Sequence, residues 1–261
     1  MAWLTRKPIG WVLLAAVILL SSCLPARGHS GDVLSAWAAA APVIDGTIGA
    51  AEWSGASKKT FTLGAWSCTV YEMNDANNLY MAVEIPDTTH DVNDMLLVYF
   101  DNDNDGVTEV GNDLVGMSST SPGVFGDYYC SALPNTWSSD VGDGGTNDGS
   151  GVLGFSGGVH YYEFSHPLDT TDNAHDFSLS AGSTVGFIIG YLDNLVSVGT
   201  WPGTLFPPQS WGDIIIASPP APVPAVGGVI VSVDKLVLLA PYFVAILVIA
   251  AAGIVIKRRR H

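Results

Sequence analysis

The sequence lacks positive charge over most of its length. It has 261 residues, with 25 Asp and Glu against 10 Lys and Arg, and a formal net charge of -15. Only Lys58 and Lys59 lie in the long central part, because the other cationic residues cluster near the ends: Arg6, Lys7, Arg27, Lys235, Lys257, Arg258, Arg259 and Arg260. So acidic a surface repels phosphate backbones, which argues against nucleic-acid partners and leaves neutral ligands and divalent cations. The same carboxylates can also serve solubility alone.

Helical periodicity is missing between residues 42 and 218, and no internal repeat is present. Short segments instead alternate apolar and polar residues with the period of strands. Leu79, Met81, Val83 and Ile85 share one face of such a segment, and segment 94–100 is apolar on both faces, as in a central strand. The predicted strands are 59–63, 66–73, 79–85, 94–100, 114–117, 126–131, 160–164, 184–192 and 212–217, with a long loop at 135–158.

Paired strands with one apolar face need a second layer to cover that face. The sequence therefore predicts an all-β fold, a two-sheet antiparallel β-sandwich over residues 42–218. A convincing catalytic motif is also missing. The segment GFSGG at 154–158 fits the pattern Gly-x-Ser-x-Gly, but that motif has meaning only between a strand and a helix. Carboxylate pairs are too common in so acidic a chain to indicate glycoside hydrolysis, so we interpret the protein as non-catalytic.

Cysteine is scarce, with three residues in the chain. Cys23 lies in the N-terminal leader region, which leaves Cys68 and Cys130 in the predicted domain. In an exported protein such a pair predicts one disulfide, and the alternative is two buried free thiols. No Cys-x-x-Cys pair is present for a zinc or haem-attachment site.

The two ends predict export and membrane anchoring. Residues 1–30 have the charged start and short apolar run of a signal peptide, with an uncertain end, and the segment before Cys23 also resembles a bacterial lipobox. A proline-rich linker is predicted at 219–233, and the apolar segment 236–256 is long enough for one C-terminal transmembrane helix. The basic tail 257–261 marks the cytoplasmic side. We therefore expect a single-pass protein of the cell membrane with its domain outside.

An acidic loop follows segment 94–100. Asp101, Asp103 and Asp105 alternate so that their carboxylates can converge on one hard cation, and Gly106 permits the sharp turn that a Ca2+ loop requires. Val107 can add its carbonyl and Glu109 its side chain. The twelfth position is Asn112, where an EF-hand has a bidentate Glu, and Asp113 comes one residue late. The sequence predicts a structural Ca2+ site with the ligands Asp101, Asp103, Asp105, Val107, Glu109 and Asp113, and the alternative is a solvated acidic turn.

Several segments together resemble the family 9 carbohydrate-binding modules and their DOMON-like relatives. They are PVIDGTIGAAEW, VYEMNDANNLYMAVEIPD, LLVYFDNDNDG, YYEFSHPLD, STVGFIIGYLD and WGDIIIAS. The resemblance implies a β-sandwich, often with structural calcium, that binds sugars or, in some branches, haem. The leader, linker and basic-tailed membrane segment are also similar to surface proteins of archaea.

The resemblance implies aromatic rings as the sugar-binding surface, because the apolar faces of a sugar pack on an aromatic plane. The candidates are Trp66, Trp137 and Trp201, with polar help from Asn135 or Gln209, although each ring can also serve packing. Trp53 and Trp211 are interpreted as packing residues. The candidate axial ligands for haem are Met81, Met95, His160 and His166.

The expected function is that of a membrane-anchored extracellular module that binds a glycan or another cell-surface component, with a structural calcium. The alternatives are a structural or adhesive envelope protein without a small ligand, and a haem-binding redox domain.

Overall fold

The computed structural model describes residues 28–119, 124–206 and 209–221. Within them the chain forms thirteen strands and one 3₁₀ helix, and no helix there is long and apolar enough to cross a membrane. The elements are β1 His29–Leu34, β2 Ser57–Leu63, β3 Trp66–Asn74, β4 Asn78–Ile85, β5 Met95–Asp101, β6 Asp113–Ser118, β7 Val124–Ala132, β8 Thr136–Ser139, the 3₁₀ helix Asp140–Asp143, β9 Ser150–Ser156, β10 Val159–Pro167, β11 Thr184–Asp193, β12 Val196–Trp201 and β13 Trp211–Ile215. The predicted leader up to residue 27, most of the linker, the membrane segment and the basic tail lie outside the described residues.

The strands form two sheets. The larger has eight strands in the order β1-β13-β11-β5-β6-β7-β8, with β12 also paired to β11, and the smaller has the order β2-β3-β4-β10-β9. Every described pair of strands is antiparallel except β1 with β13, which is parallel. The predicted all-β, two-sheet architecture is thus confirmed, with one parallel pair added at an edge.

Alternation along the strands builds the core between the sheets. Leu79, Met81, Val83 and Ile85 of β4 all lie in this core, as their spacing predicts. On β5 the residues Leu96, Val98 and Phe100 point into the core, while Tyr99 joins a second apolar cluster on the outer face. The strand β5 lies between β11 and β6, so the prediction of a central strand covered on both faces is confirmed.

The predicted loop 135–158 is wrong, because this segment contains β8, the 3₁₀ helix and β9. Its glycines hide the strand pattern and have a packing role instead. A Cβ atom on Gly154 would lie 1.9 Å from the backbone oxygen of Gly46, and a Cβ atom on Gly151 would lie 2.8 Å from the Met117 side chain. The domain also begins earlier than residue 42, since β1 pairs with β13.

The predicted disulfide is likewise wrong, because Cys68 and Cys130 are both free and buried. Cys68 lies on β3 and packs into the core between the sheets. Cys130 lies on β7 of the other sheet and pairs with Trp137, which packs on the outer face. Paired residues share a face of a sheet, so the two thiols lie on opposite sides of the eight-stranded sheet.

Candidate functional site

An aromatic surface covers part of the outer face of the eight-stranded sheet. Gly116 on β6 and Gly126 on β7 are directly paired, and the ring of Tyr128 occupies the space that their missing side chains leave. A Cβ atom on Gly116 would lie 3.1 Å from the Tyr128 ring, and one on Gly126 would lie 2.6 Å from it. The Tyr128 side chain is only half-buried. It therefore packs on the sheet and remains accessible to solvent.

Trp137 extends this surface from the edge strand β8. Its ring meets that of Tyr99 edge-on, with 5.1 Å between the ring centroids, and its indole Nε1 donates a 2.6 Å hydrogen bond to Oδ1 of the exposed Asn135. Leu97 lies beside Tyr128 on the same cluster. We call the residues Leu97, Tyr99, Tyr128, Trp137 and Asn135 the aromatic platform. The structure thus brings the predicted residues Trp137 and Asn135 together.

The other predicted sugar-binding residues lie elsewhere. Trp201 stacks on Phe61 with 4.5 Å between the ring centroids, and Trp66 meets Tyr191 edge-on at 5.6 Å. Both tryptophans pack against the core between the sheets. Gln209 donates from Nε2 to the backbone oxygen of Leu205 at 3.0 Å, which closes the loop before β13. The packing interpretation therefore applies to Trp66 and Trp201.

Trp53 and Trp211, interpreted as packing residues, are 3% and 0% exposed, which confirms that interpretation. The candidate haem ligands do not converge. Met81 is fully buried in the core, and His160 and His166 belong to two separate clusters of polar side chains. The fourth candidate, Met95, is half-buried at the start of β5.

The acidic loop brings together three of its six predicted ligands. Carboxylate oxygens of Asp101, Asp103 and Asp105 lie within 4.8 Å of one another, and Gly106 has a φ of 85° and donates its N–H to Asp101 Oδ2 at 2.7 Å. Burial, together with Asp103 and Asp105, raises the pKa of Asp101 to about 7. Asp103 and the nearby Glu109 are exposed, and so is Val107.

The prediction that Asp113 belongs to this loop is wrong. Its side chain is fully buried with those of His166 and Asp176, all three ligand atoms lying within 4.8 Å of one another. The reason is the register of the sheet. Asp113 is the first residue of β6 and lies on the same inward face as Val115 and Met117, so it points between the sheets and away from the acidic loop.

Asp113 belongs to a cluster of four aspartates that are between 0% and 3% exposed. We call this group the carboxylate cluster, and its members are Asp113, Asp127, Asp140 and Asp176. Both side-chain oxygens of Asp113 and of Asp140 have no hydrogen-bond partner, and the same holds for Asp127 Oδ1 and Asp176 Oδ1. The half-buried Asp148 approaches Asp127 and Asp176 to within the same 4.8 Å. Buried carboxylates without partners are costly, so this arrangement needs compensating positive charge.

The electrostatics of the cluster reflect this need. Burial raises the pKa of Asp113 well above its usual range, and burial with the neighbouring Asp127 raises that of Asp140 to about 8. Burial also raises the pKa of Asp176 to about 6. For His166 burial lowers the pKa, but the carboxylates of Asp127 and Asp113 outweigh burial and raise it to about 9. One imidazolium therefore faces four carboxyl groups, and burial disfavours the ionised form of Asp113, Asp140 and Asp176.

Two groups of ligand atoms, Asp113–His166–Asp176 and Asp127–Asp148–Asp176, share Asp176. They offer mainly carboxylate oxygens, the ligand type that a hard divalent cation prefers. Asp127, Asp140 and Asp176 were not among the ligands predicted from the sequence. A signal was present for Asp127, which alternates with Phe125 and Tyr129 along β7, so that a carboxylate occupies an inward position of a strand. Asp140 lies at the start of the 3₁₀ helix and Asp176 on the segment before β11, and neither stretch has such a pattern.

Comparison with known proteins gives structural similarity only. No family model matches the chain, and no curated protein matches its sequence. A family 9 carbohydrate-binding module from Caldicellulosiruptor kristjanssonii in complex with cellotriose is 14% identical, with a TM-score of 0.48 over 74% of this chain and 96% of that chain. A module of the same family and organism in complex with glucose is 13% identical, with a TM-score of 0.49 over 74% of this chain and 100% of that chain. Similarity of this degree assigns no ligand to the present chain.

Proposed function

We propose that this protein is a non-catalytic binding module that holds a glycan on the aromatic platform. The observation that carries the proposal is the position of Tyr128. Its half-buried ring packs over the paired glycines 116 and 126 and lies on the same apolar cluster as the half-buried indole of Trp137. A pyranose ring has apolar C–H faces that pack on such aromatic surfaces.

Polar groups at the rim supply the second requirement of a sugar site. The Asn135 side chain is exposed, and its Oδ1 accepts the indole N–H of Trp137. Its amide NH₂ group is then directed away from the indole and can donate to a sugar hydroxyl. The same hydrogen bond fixes the plane of the Trp137 ring, which reduces the entropy lost on binding.

A structural Ca2+ in the carboxylate cluster forms part of the proposal. Asp113 and Asp127 come from the paired strands β6 and β7, Asp140 from the 3₁₀ helix, and Asp176 from the segment before β11. A bound divalent cation supplies the positive charge that these residues lack and links four parts of the chain. The acidic loop stays a second candidate, since it has the one buried carboxylate Asp101.

The location of the module is also a proposal. The apolar segment 236–256 and the basic tail 257–261 are typical of a single membrane span with a cytoplasmic end. Together with the predicted signal peptide, they favour display of the domain on the outside of the cell membrane. The acidic surface suits neutral glycans there better than anionic ones, because like charges repel.

The test is calorimetry of the full chain with Ca2+ against a panel of neutral and acidic oligosaccharides. The detergent must have a head group that is not a sugar, for example an amine oxide, because maltoside head groups compete for a glycan site. We expect binding of at least one neutral glycan by the wild type and loss of that binding in Trp137→Ala. The matched control is Trp66→Ala, which removes another half-buried tryptophan away from the platform and leaves binding intact.

Two outcomes contradict the proposal. If the folded wild-type protein binds no glycan of the panel, the protein is instead a structural or adhesive envelope protein. Equal loss in Trp66→Ala and Trp137→Ala, with both variants folded by circular dichroism, shows that the platform is not the site.

A further inference from the structure

The inward face of β10 carries a histidine at each end. His160 and His166 lie on the same face as the core residues Tyr162 and Phe164. They are six positions apart on the strand, which places the two residues roughly 20 Å from each other. His166 joins the oxygen-rich carboxylate cluster. His160 is also fully buried, but the group of possible metal ligands to which it belongs contains a second histidine and one aspartate. The two ends of one strand therefore present different donor chemistry.

The second cluster consists of His160 on β10 and of His90 and Asp94 on the segment between β4 and β5. Nδ1 of His90 lies 2.8 Å from Nε2 of His160, and Oδ2 of Asp94 lies 3.6 Å from the same Nε2. All three ligand atoms lie within 4.8 Å of one another. Ligands of a tetrahedral ion at 2.0–2.1 Å are separated by roughly 3.3 Å, so these spacings suit a zinc-type ion.

The hydrogen bonds around His160 fix which ring nitrogen carries the proton. The hydroxyl of Tyr191 donates its one proton to Asp87 Oδ2 at 3.1 Å. The Tyr191 oxygen then accepts from His160 Nδ1 at 3.3 Å. The proton of the neutral ring lies on Nδ1, and the lone pair of Nε2 points towards His90 and Asp94.

The two other members are held in place as well. Asp94 is fully buried, its Oδ2 accepts the backbone N–H of Asp91 at 2.7 Å, and its Oδ1 accepts that of Asn194 at 3.0 Å. The imidazole of His90 stacks on Phe155, with 4.8 Å between the ring centroids. His90 is nevertheless exposed, which leaves the cluster accessible from solvent on that side.

The geometry points to a second metal site, in which His90, Asp94 and His160 bind a borderline divalent ion of the Zn2+ type with a fourth position open to solvent. Imidazole nitrogens favour Zn2+, Co2+, Cu2+ or Ni2+ over Ca2+, which takes oxygen ligands. The segment between β4 and β5 connects the two sheets, so the ion would fasten this connection to β10.

A competing arrangement exists close by, because Asp94 also lies within 4.8 Å of Asp87 and Asp193. Those three carboxylates offer oxygen only and would suit a hard cation. The two arrangements share Asp94 and differ in the histidines, so substitution of His90 separates them.

The experiment uses the full chain without a polyhistidine tag, freed of metal by a chelator and then kept in excess Ca2+. Zn2+ alone is titrated by calorimetry, and Co2+ is followed by visible absorption, whose intensity distinguishes four-coordinate from six-coordinate ions. We expect Zn2+ binding that excess Ca2+ does not displace, and a four-coordinate Co2+ spectrum. His90→Ala should weaken Zn2+ binding at this site at least about tenfold, and because His90 is exposed, the fold should survive.

Two further variants complete the test. Tyr191→Phe keeps the ring and removes the hydroxyl that orients His160, so Zn2+ affinity should fall about 10- to 100-fold and the Co2+ spectrum should shift, neither of which a simple packing role predicts. His29→Ala is the matched control, since His29 pairs with Asp213 at 2.9 Å on another part of the domain. An unchanged Zn2+ isotherm in His90→Ala, displacement of Zn2+ by Ca2+, or equal weakening in His29→Ala would overturn the inference.

Discussion

Trp53 Nε1 donates a 2.8 Å hydrogen bond to Oε1 of Glu163, although 110 positions of the chain separate the two residues. The other oxygen of Glu163 accepts hydrogen bonds from the three backbone N–H groups of the turn 45–47. The shortest of them, from Gly46, is 2.7 Å long. The segments PVIDGTIGAAEW and YYEFSHPLD, which contribute to the family resemblance, are therefore joined through one buried carboxylate. This contact fastens segment 42–53 to β10.

Substitution of Glu163 should consequently destabilise the domain. We expect Glu163→Ala to lower the free energy of unfolding by about 3 kcal/mol or more, because it leaves two buried and two partly buried donors without an acceptor. Glu52→Gln is the control, since Glu52 also accepts two backbone N–H groups but is only half-buried, and it should cost less than about 1 kcal/mol. Equal effects in urea denaturation would contradict the central role of Glu163.

The carboxylate cluster predicts opposite effects with and without Ca2+. Asp140→Asn removes a buried, unpartnered carboxylate, so in chelator its melting temperature should exceed that of the wild type. Ca2+ should raise the wild-type melting temperature, since a cation at a hundred times its Kd contributes about 2.7 kcal/mol, and Asp140→Asn should lose this gain. Asp105→Asn in the acidic loop is the control and should keep it. Loss of the Ca2+ effect in Asp105→Asn but not in Asp140→Asn would assign the calcium site to the acidic loop.

A buried carboxyl group in the core predicts a specific pH dependence. Both oxygens of Glu72 lack a hydrogen-bond partner, and burial raises its pKa from 4.5 to about 8. Between these values the unfolded chain releases the proton and the folded chain keeps it. The contribution of Glu72 to stability is therefore complete below pH 4.5 and is lost as the pH rises to about 8.

Glu72→Gln should remove this contribution to the pH dependence. The difference in unfolding free energy between variant and wild type should change by up to about 1.4 kcal/mol per pH unit between pH 5 and pH 7.5, in favour of the variant at high pH. Urea denaturation at several pH values measures it. Parallel pH profiles for the two proteins would show that Glu72 is ionised in the folded state.

The two free, buried cysteines predict thiols that are unreactive in the folded protein and reactive after unfolding. Cys68 and Cys130 are fully buried, and burial raises the pKa of Cys68 to about 11 and also raises that of Cys130. We expect neither thiol to react with iodoacetamide in the native protein, and both to react in denaturant without reductant. Mass spectrometry of the digested chain assigns the modified positions. If both cysteines were protected in denaturant until a reductant is added, they would form a disulfide after all.

Local patterns predict the fold well where they are regular. The alternation along β4 and the two apolar faces of β5 depend only on neighbouring residues, and the structure follows them. The carboxylate cluster could not be predicted in this way. Its members Asp113, Asp127, Asp140 and Asp176 are brought together by the register of β6 with β7, the 3₁₀ helix and the segment before β11. Spacing along the chain instead favoured the acidic loop, where the carboxylates are close in sequence but mostly solvated. Similarly, the glycines of β9 predicted a loop, although close packing requires them, Gly154 against Gly46 and Gly151 against Met117.

The aromatic platform predicts an effect at a residue that touches no ligand. A Cβ atom on Gly126 would lie 2.6 Å from Cε2 and 2.7 Å from the hydroxyl oxygen of Tyr128, so Gly126→Ala should force the Tyr128 ring away from the sheet. The ring lies at a half-buried surface, and it can move without unfolding the strands. We therefore expect at least about a tenfold loss of glycan affinity with little change in melting temperature.

Gly190→Ala is the matched control on the same face. Its added Cβ would lie 3.4 Å from the Tyr99 ring, an ordinary contact that leaves the platform unchanged, so glycan affinity should stay near that of the wild type. Calorimetry with the best ligand of the panel compares the two variants. Because each adds one methyl group to a strand of the same sheet, a difference between them reports the position of the Tyr128 ring and not a general effect of alanine. Wild-type affinity in both Gly126→Ala and Tyr128→Ala would remove Tyr128 from the glycan site.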